Sequence, residues 1–103
     1  MERLSQWRER IDDVDQQLVD LLNERVRIAL EIGRTKTAHQ RRIYDPAREE
    51  LVIQKAIAAC NGGPLRGGAV RRLFERIIEE TRDAQRDERN LEASPAAAYS
   101  STR

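Results

Sequence analysis

Arg25 stands between Leu21 and Ile28 in a run of apolar residues spaced alternately three and four apart, at a position where that period asks for a hydrophobe. A cation on such a stripe needs a carboxylate partner or a bound anion. The first choice makes Arg25 a structural device, an interchain ion pair or a register-setting polar residue; the second makes it part of a site. Lys36 lies eleven residues further on. In a helix that spacing is a rotation of about 20° and a rise of about 16 Å, so two long cationic side chains share a face and can converge on one small anion. Ala29, four residues after Arg25 on the same strip, is small and leaves a floor for that molecule. Taken alone, Lys36 reads as a solvated lysine near a helix C-terminus, where the macrodipole favours it.

Two other groups of polar residues interrupt or flank apolar stripes. Thr81 and Gln85 are four apart and continue the stripe of Phe74, Ile77 and Ile78, which adds two neutral hydrogen-bonding groups to an apolar face or marks a helix leaving the core. Asp45, Arg48 and Glu49 share one turn at the start of another helix, either as a capping cluster or as a donor and two acceptors beside its positive end. The chemistry these residue types offer is recognition of an anionic small molecule by cations and neutral donors. His39 has no Ser or Cys partner in register, and Cys60 reads as a small core residue rather than a nucleophile. The glycines at 62, 63, 67 and 68 lack the strand and the Lys-Ser/Thr signature of a phosphate loop. The doublets Arg41-Arg42 and Arg71-Arg72 read as solvated. One Cys and one His cannot build a zinc site within one chain, so metal catalysis is not expected, and one small domain leaves no room for a separate cofactor module.

Helices must position these residues. The chain has 103 residues, enough for one domain, with 36% charged and only 4% aromatic side chains, a balance typical of long amphipathic helices rather than of sandwiches or barrels. From Leu4 to about His39 there is no Pro, and Leu4, Trp7, Ile11, Val14, Leu18, Leu21, Ile28 and Ile32 form a heptad seam. Such a helix extends about 54 Å, beyond the roughly 35 Å width of a compact domain of this size, so it cannot bury its seam within one chain. A partner helix from a second copy is the simplest cover. Residues 40–44 break the pattern, and Asp45-Pro46 restarts a helix, with Asp45 as N-cap and Pro46 in the first helical position. That helix runs to about Cys60, and Asn61-Gly62-Gly63-Pro64 ends it. A third helix begins between Leu65 and Ala69, its start loosened by Gly67-Gly68, and fades near Arg89. Residues 90–103 read as a flexible C-terminal tail or a linker stump after a helical domain over 1–89.

Charge narrows the class of partner. The net charge of +1, from 19 basic and 18 acidic residues, lacks the footprint of a nucleic-acid binder or a polybasic membrane anchor. No apolar run approaches the length of a membrane span, and the first residues carry no secretory h-region, so the expectation is a cytoplasmic protein with neither nucleic acid nor membrane as partner. All but Lys36 and Lys55 of the basic residues are Arg, planar forks suited to carboxylates.

Arg8-Glu9-x-Ile11-x-x-x-Asp15, Leu21-Leu22-x-Glu24-Arg25, Ile32-Gly33-x-x-Lys36, Asp45-x-x-Arg48-Glu49 and Leu73-Phe74-x-x-Ile77-Ile78-Glu79-x-Thr81-x-x-x-Gln85 together resemble the all-helical chorismate mutases over about residues 4–88. Each piece is weak, and the set is specific. The resemblance implies an all-α fold, a three-helix chain with a long N-terminal helix paired in an intertwined homodimer, and the Claisen rearrangement of chorismate to prephenate on the route to phenylalanine and tyrosine. By similarity, Lys36 and Gln85 are the catalytic donors to the ether oxygen. Arg25 and, from the other subunit, Arg8 bind the two carboxylates; Glu49, with the backbone around Asp45, receives the ring hydroxyl; Arg48 lines the same wall and Thr81 supports a carboxylate. The helix geometry agrees about Arg8, which lies about 26 Å from Arg25 along its own helix and is turned by about 100°, too far to share a small ligand with it in one chain. In this family the mutase is often fused to another aromatic-pathway enzyme, so fusion or docking to one is a further expectation. Two other readings compete: an isochorismate-pyruvate lyase of the same fold, and a non-catalytic helical dimerisation module.

Overall fold

The computed structural model describes residues 2–35 and 45–93. Helix α1, Glu2–Thr35, is Pro-free and carries the predicted seam along its length. Helix α2, Pro46–Ala59, starts as its sequence requires: Asp45 caps it, accepting from the backbone N–H of Arg48 at 3.2 Å, and Pro46 occupies the first turn, where its missing N–H leaves no carbonyl unmatched. It ends at Cys60 in a turn where Gly62 takes φ +85°, a left-handed conformation that glycine adopts without strain. Helix α3, Gly67–Ala93, runs to Ala93 rather than fading near Arg89. The boundaries expected for α2 and the start of α3 hold. The end of the expected first helix, with Lys36, His39 and the break at 40–44, lies outside the described residues.

Helix α3 is the spine, and α1 and α2 both pack on it. The α1 contacts link Arg25 with Thr81 and Ala29 with Gln85, both 56 residues apart, so α1 and α3 run parallel. Helix α2 runs back along α3, with Ile57 near Gly67 and Glu49 near Arg82. A Cβ at Gly67 would sit 3.2 Å from the Ile57 Cγ2, so this glycine, expected to loosen the helix start, also lies against α2. The buried residues among those described are Ile53, Val70, Ile78 and Thr81, all on α2 and α3. The seam residues of α1, from Leu4 to Ile32, are 49–61% exposed, as its length demanded. The radius of gyration, 17.7 Å, exceeds the roughly 13 Å of a compact domain of this size. Among the described residues no helix is long and apolar enough to cross a membrane.

Arg71, expected to be solvated, instead bridges α3 to α2 through two bonds to the Glu50 carboxylate, at 2.7 and 3.1 Å. Long side chains on neighbouring helices reach each other wherever the crossing allows, a distance that one helix's period does not encode. Arg71, aided by Gln54, holds the Glu50 carboxyl down at about 2. A carboxyl lowered on folding stabilises above its ordinary range, and that contribution fades only as pH falls from about 4.5 toward about 2. Arg34 makes a similar link from α1 to Glu88 of α3 and also pairs with Glu31.

The two glycines opening α3 should respond differently to alanine. A Cβ at Gly68 meets only the end of the Arg72 side chain, at 3.7 Å, so Gly68→Ala should stabilise the chain by about 0.4–1 kcal/mol through lower unfolded-state entropy. Gly67→Ala should forfeit that gain against Ile57, which thermal denaturation of the two variants would show as unequal shifts.

Candidate active site

A cavity of about 300 Å³ opens between the three helices, lined by Arg25, Ile28, Ala29 and Ile32 of α1, Asp45, Arg48, Glu49 and Val52 at and after the start of α2, and Ile78, Thr81 and Gln85 of α3. It gathers Arg25, Asp45, Arg48, Glu49, Thr81 and Gln85 in one place. Ala29 is the small residue that its spacing from Arg25 called for. Arg8 lies on the exposed part of α1 and does not line the cavity. Lys36 falls outside the described residues.

Position on the helix decides what each polar group does. Thr81 follows Ile77 by one turn, and its hydroxyl donates back to the Ile77 carbonyl at 2.7 Å. Its one proton is thereby committed, so the oxygen receives Arg25 Nη1, which donates to it at 3.0 Å. Gln85, one turn further along α3, donates from Nε2 to the Ala29 carbonyl at 3.0 Å, fixing the plane of its amide. The same nitrogen carries a second N–H. Thr81 is buried and Gln85 half-buried, so α3 is not leaving the core at these residues.

The charges are arranged for an anion. Among the described residues no acidic side chain pairs with Arg25, which sets aside an intrachain ion pair as the reason for its place. Burial, and then the neighbouring Arg48 guanidinium, lower the Arg25 pKa from its ordinary value. Two guanidinium groups close enough to oppose each other gain from a negative guest, and the forked donors of Arg suit a carboxylate. Across the cavity Glu49 supplies the opposite polarity, an acceptor for a hydroxyl. The Ile28, Ile32, Val52 and Ile78 side chains complete apolar walls of the kind that bury a small organic body. Among the described residues no three His, Cys, Asp or Glu side chains are grouped so as to hold a metal ion.

Sequence reasoning missed Arg82. Its Nε lies 3.4 Å from Glu49 Oε2, an ion pair joining α3 to α2 with both side chains largely buried. The signal was present: Phe74, Ile78 and Arg82 follow each other at steps of four, so a cation stands on an apolar stripe of α3 just as Arg25 does on α1.

Comparison with known proteins agrees with this geometry. Residues 7–86 match the family described as chorismate mutase type II. The chain is 39% identical over 82 residues to a bifunctional chorismate mutase/prephenate dehydratase of Stutzerimonas stutzeri, covering 75% of this chain and 22% of that protein. It is 38% identical over 82 residues to the protein of that description from Pseudomonas aeruginosa, covering 75% of this chain and 22% of the relative. For the one from Escherichia coli K12 the identity is 34% over 74 residues, 72% of this chain and 19% of the relative. The chain thus spans about a fifth of the length of these relatives.

The hydroxyl of Thr81 and its methyl can be tested apart. Thr81→Ser keeps the bond to Arg25 and should cost about 1 kcal/mol for one lost buried methyl, read by urea denaturation. Thr81→Val keeps the shape and removes the acceptor that orients Arg25, so the affinity for a simple dicarboxylate such as malonate, measured calorimetrically, should fall about tenfold. Equal dicarboxylate affinity in Thr81→Val and the parent would remove Thr81 from the site.

Proposed function

The chain belongs to the chorismate mutase type II family, and on that footing we propose that it converts chorismate to prephenate in the cavity between its helices, in the biosynthesis of phenylalanine and tyrosine. The observation that carries this reading is the gathering, in about 300 Å³, of two guanidinium groups that have no carboxylate partner among the described residues, a neutral amide and a glutamate. Chorismate presents two carboxylates, an ether oxygen and a ring hydroxyl, one feature for each kind of group.

The reaction is an electron-pair shift within one molecule. The ether C–O bond breaks as a C–C bond forms between the enolpyruvyl carbon and the ring, and no proton is gained or lost. Rate then comes from holding the flexible ether in its reactive chair and from stabilising charge on the oxygen as its bond lengthens. Arg25, oriented by Thr81, takes one carboxylate, and Arg48 lines the same wall. Gln85, whose amide plane is set by the Ala29 carbonyl, directs its second N–H at the ether oxygen. Lys36 is the cationic donor to that oxygen in this reading. Glu49, with the backbone at Asp45, accepts the ring hydroxyl and so fixes which way round the substrate lies.

A second copy of the chain completes the proposal. The exposed seam of α1 supports an antiparallel pairing of first helices in which Arg8 enters the partner's cavity and binds the other carboxylate, with two equivalent sites and the two-fold axis near residue 19. The relatives carry prephenate dehydratase beside the mutase by their descriptions, so a prephenate-consuming enzyme, fused or docked, is the partner that goes with this reading, and the cytoplasm is its location.

Chorismate loss followed by absorbance, with the product identified and isochorismate run in parallel, tests the activity. Prephenate is expected, with kcat/KM down about 100-fold in Gln85→Ala and little change across neutral pH in the parent, because an amide donates without being protonated. Pyruvate from isochorismate with little prephenate would assign the lyase, and silence with both substrates the dimerisation module. The shared site has its own test: Arg8→Ala and Arg25→Ala should each be nearly inactive, yet unfolding and refolding them together should restore about a quarter of parental activity, since half the dimers formed are mixed and each mixed dimer has one intact site. No recovery on mixing would place Arg8 outside the site.

A further inference from the structure

Glu49 stands between two cavities. It lines the site, and it also lines a neighbouring cavity of about 560 Å³ between α2 and α3, whose wall includes Arg82. Arg82 does not line the site. It therefore meets the Glu49 carboxylate from behind, Nε to Oε2 at 3.4 Å, with the two side chains 24% and 20% exposed and the nitrogen itself shielded from solvent. Thr81, its neighbour in sequence, lines the site, and one residue on a helix turns the next side chain by about 100°, which is why Arg82 reaches Glu49 from the neighbouring cavity instead.

The problem this solves is electrostatic. A carboxylate in a small cavity with Arg25 and Arg48 will, if unrestrained, swing onto one of them and cancel the charge a dicarboxylate ligand needs. Neither guanidinium is paired with Glu49 here; the Glu49 contact runs to Arg82. We infer that Arg82 is a positioning residue for the mutase reaction: by tethering Glu49 on the far side, it keeps the site cations available for the substrate carboxylates and holds Glu49 where it meets the ring hydroxyl. This rests on the mutase reading above. Arg82 touches no reacting atom in this role and acts through Glu49.

A double-mutant cycle with Glu49→Gln isolates that dependence. Arg82→Leu keeps much of the stem's apolar bulk and should raise the KM for chorismate about tenfold while kcat falls less than about threefold, because binding charge is lost rather than the donor to the ether oxygen. In the Glu49→Gln background the same change should move KM less than about twofold, since a neutral amide has no charge with which to capture Arg25 or Arg48. Arg82→Lys, which keeps the tether's charge, should recover most of the parental KM. If Arg82→Leu does not fold, as its circular dichroism would show, Arg82→Gln carries the cycle. An equal KM effect in both backgrounds, or no recovery by Arg82→Lys, overturns the proposal and leaves the mutase reading standing. Absence of chorismate turnover by the parent chain overturns both.

Discussion

Two hydrogen bonds, from Arg25 to Thr81 and from Gln85 to Ala29, hold α1 and α3 in the register in which the cavity forms, with Arg34–Glu88 as a further link between them. Apolar packing is in a weak position to set it. The buried apolar side chains among the described residues are Ile53, Val70 and Ile78, all on α2 and α3, while the apolar stripe of α1 is about half exposed along its length. A slip of one turn between two parallel helices would still bury similar stems, but it would leave the Thr81 hydroxyl and the Gln85 amide opposite the wrong groups. The groups that align the helices are therefore the groups that shape the site, and the scaffold and the chemistry cannot be varied separately at these residues.

The polar inventory of α3 explains how one helix serves two neighbours. Thr81 and Gln85 face α1, while Arg71 and Arg82 reach glutamates on α2, and Arg34 reaches across from α1 to Glu88. The more exposed of these pairs, at Arg71 and Arg34, add little individually. Of these three glutamates Glu49 lines the cavity, and its contact runs outward to Arg82.

Much of this was written in local patterns. Asp45-Pro46 announces the start of α2, Asn61-Gly62-Gly63-Pro64 its end, and the three-and-four spacing of Leu4 to Ile32 a helix too long for its own chain to cover. Arg25, Thr81 and Gln85 were legible as polar residues on apolar stripes, since a helix's period is a property of its own sequence. Arg71 was read as solvated and Arg82 was missed because their roles depend on which glutamate lies opposite, and that is set by the crossing of α2 over α3. At Gly67 the sequence could not show the approach of Ile57 from α2, for the same reason. Arg8 belongs to a different category, since its proposed role needs a surface that its own chain does not contain.

The bareness of the first two-thirds of α1 has a thermodynamic consequence. Every residue from 3 to 24 is exposed, and a helix in water draws most of its stability from packing rather than from propensity. That segment is finished only when something lies along its seam. With a second copy as the cover, ordering the helix and associating are one equilibrium, and the folded fraction becomes a matter of mass action. Diluting the protein would then unfold it as surely as warming it, so that its abundance in the cell, as well as its sequence, sets how much of it is an enzyme.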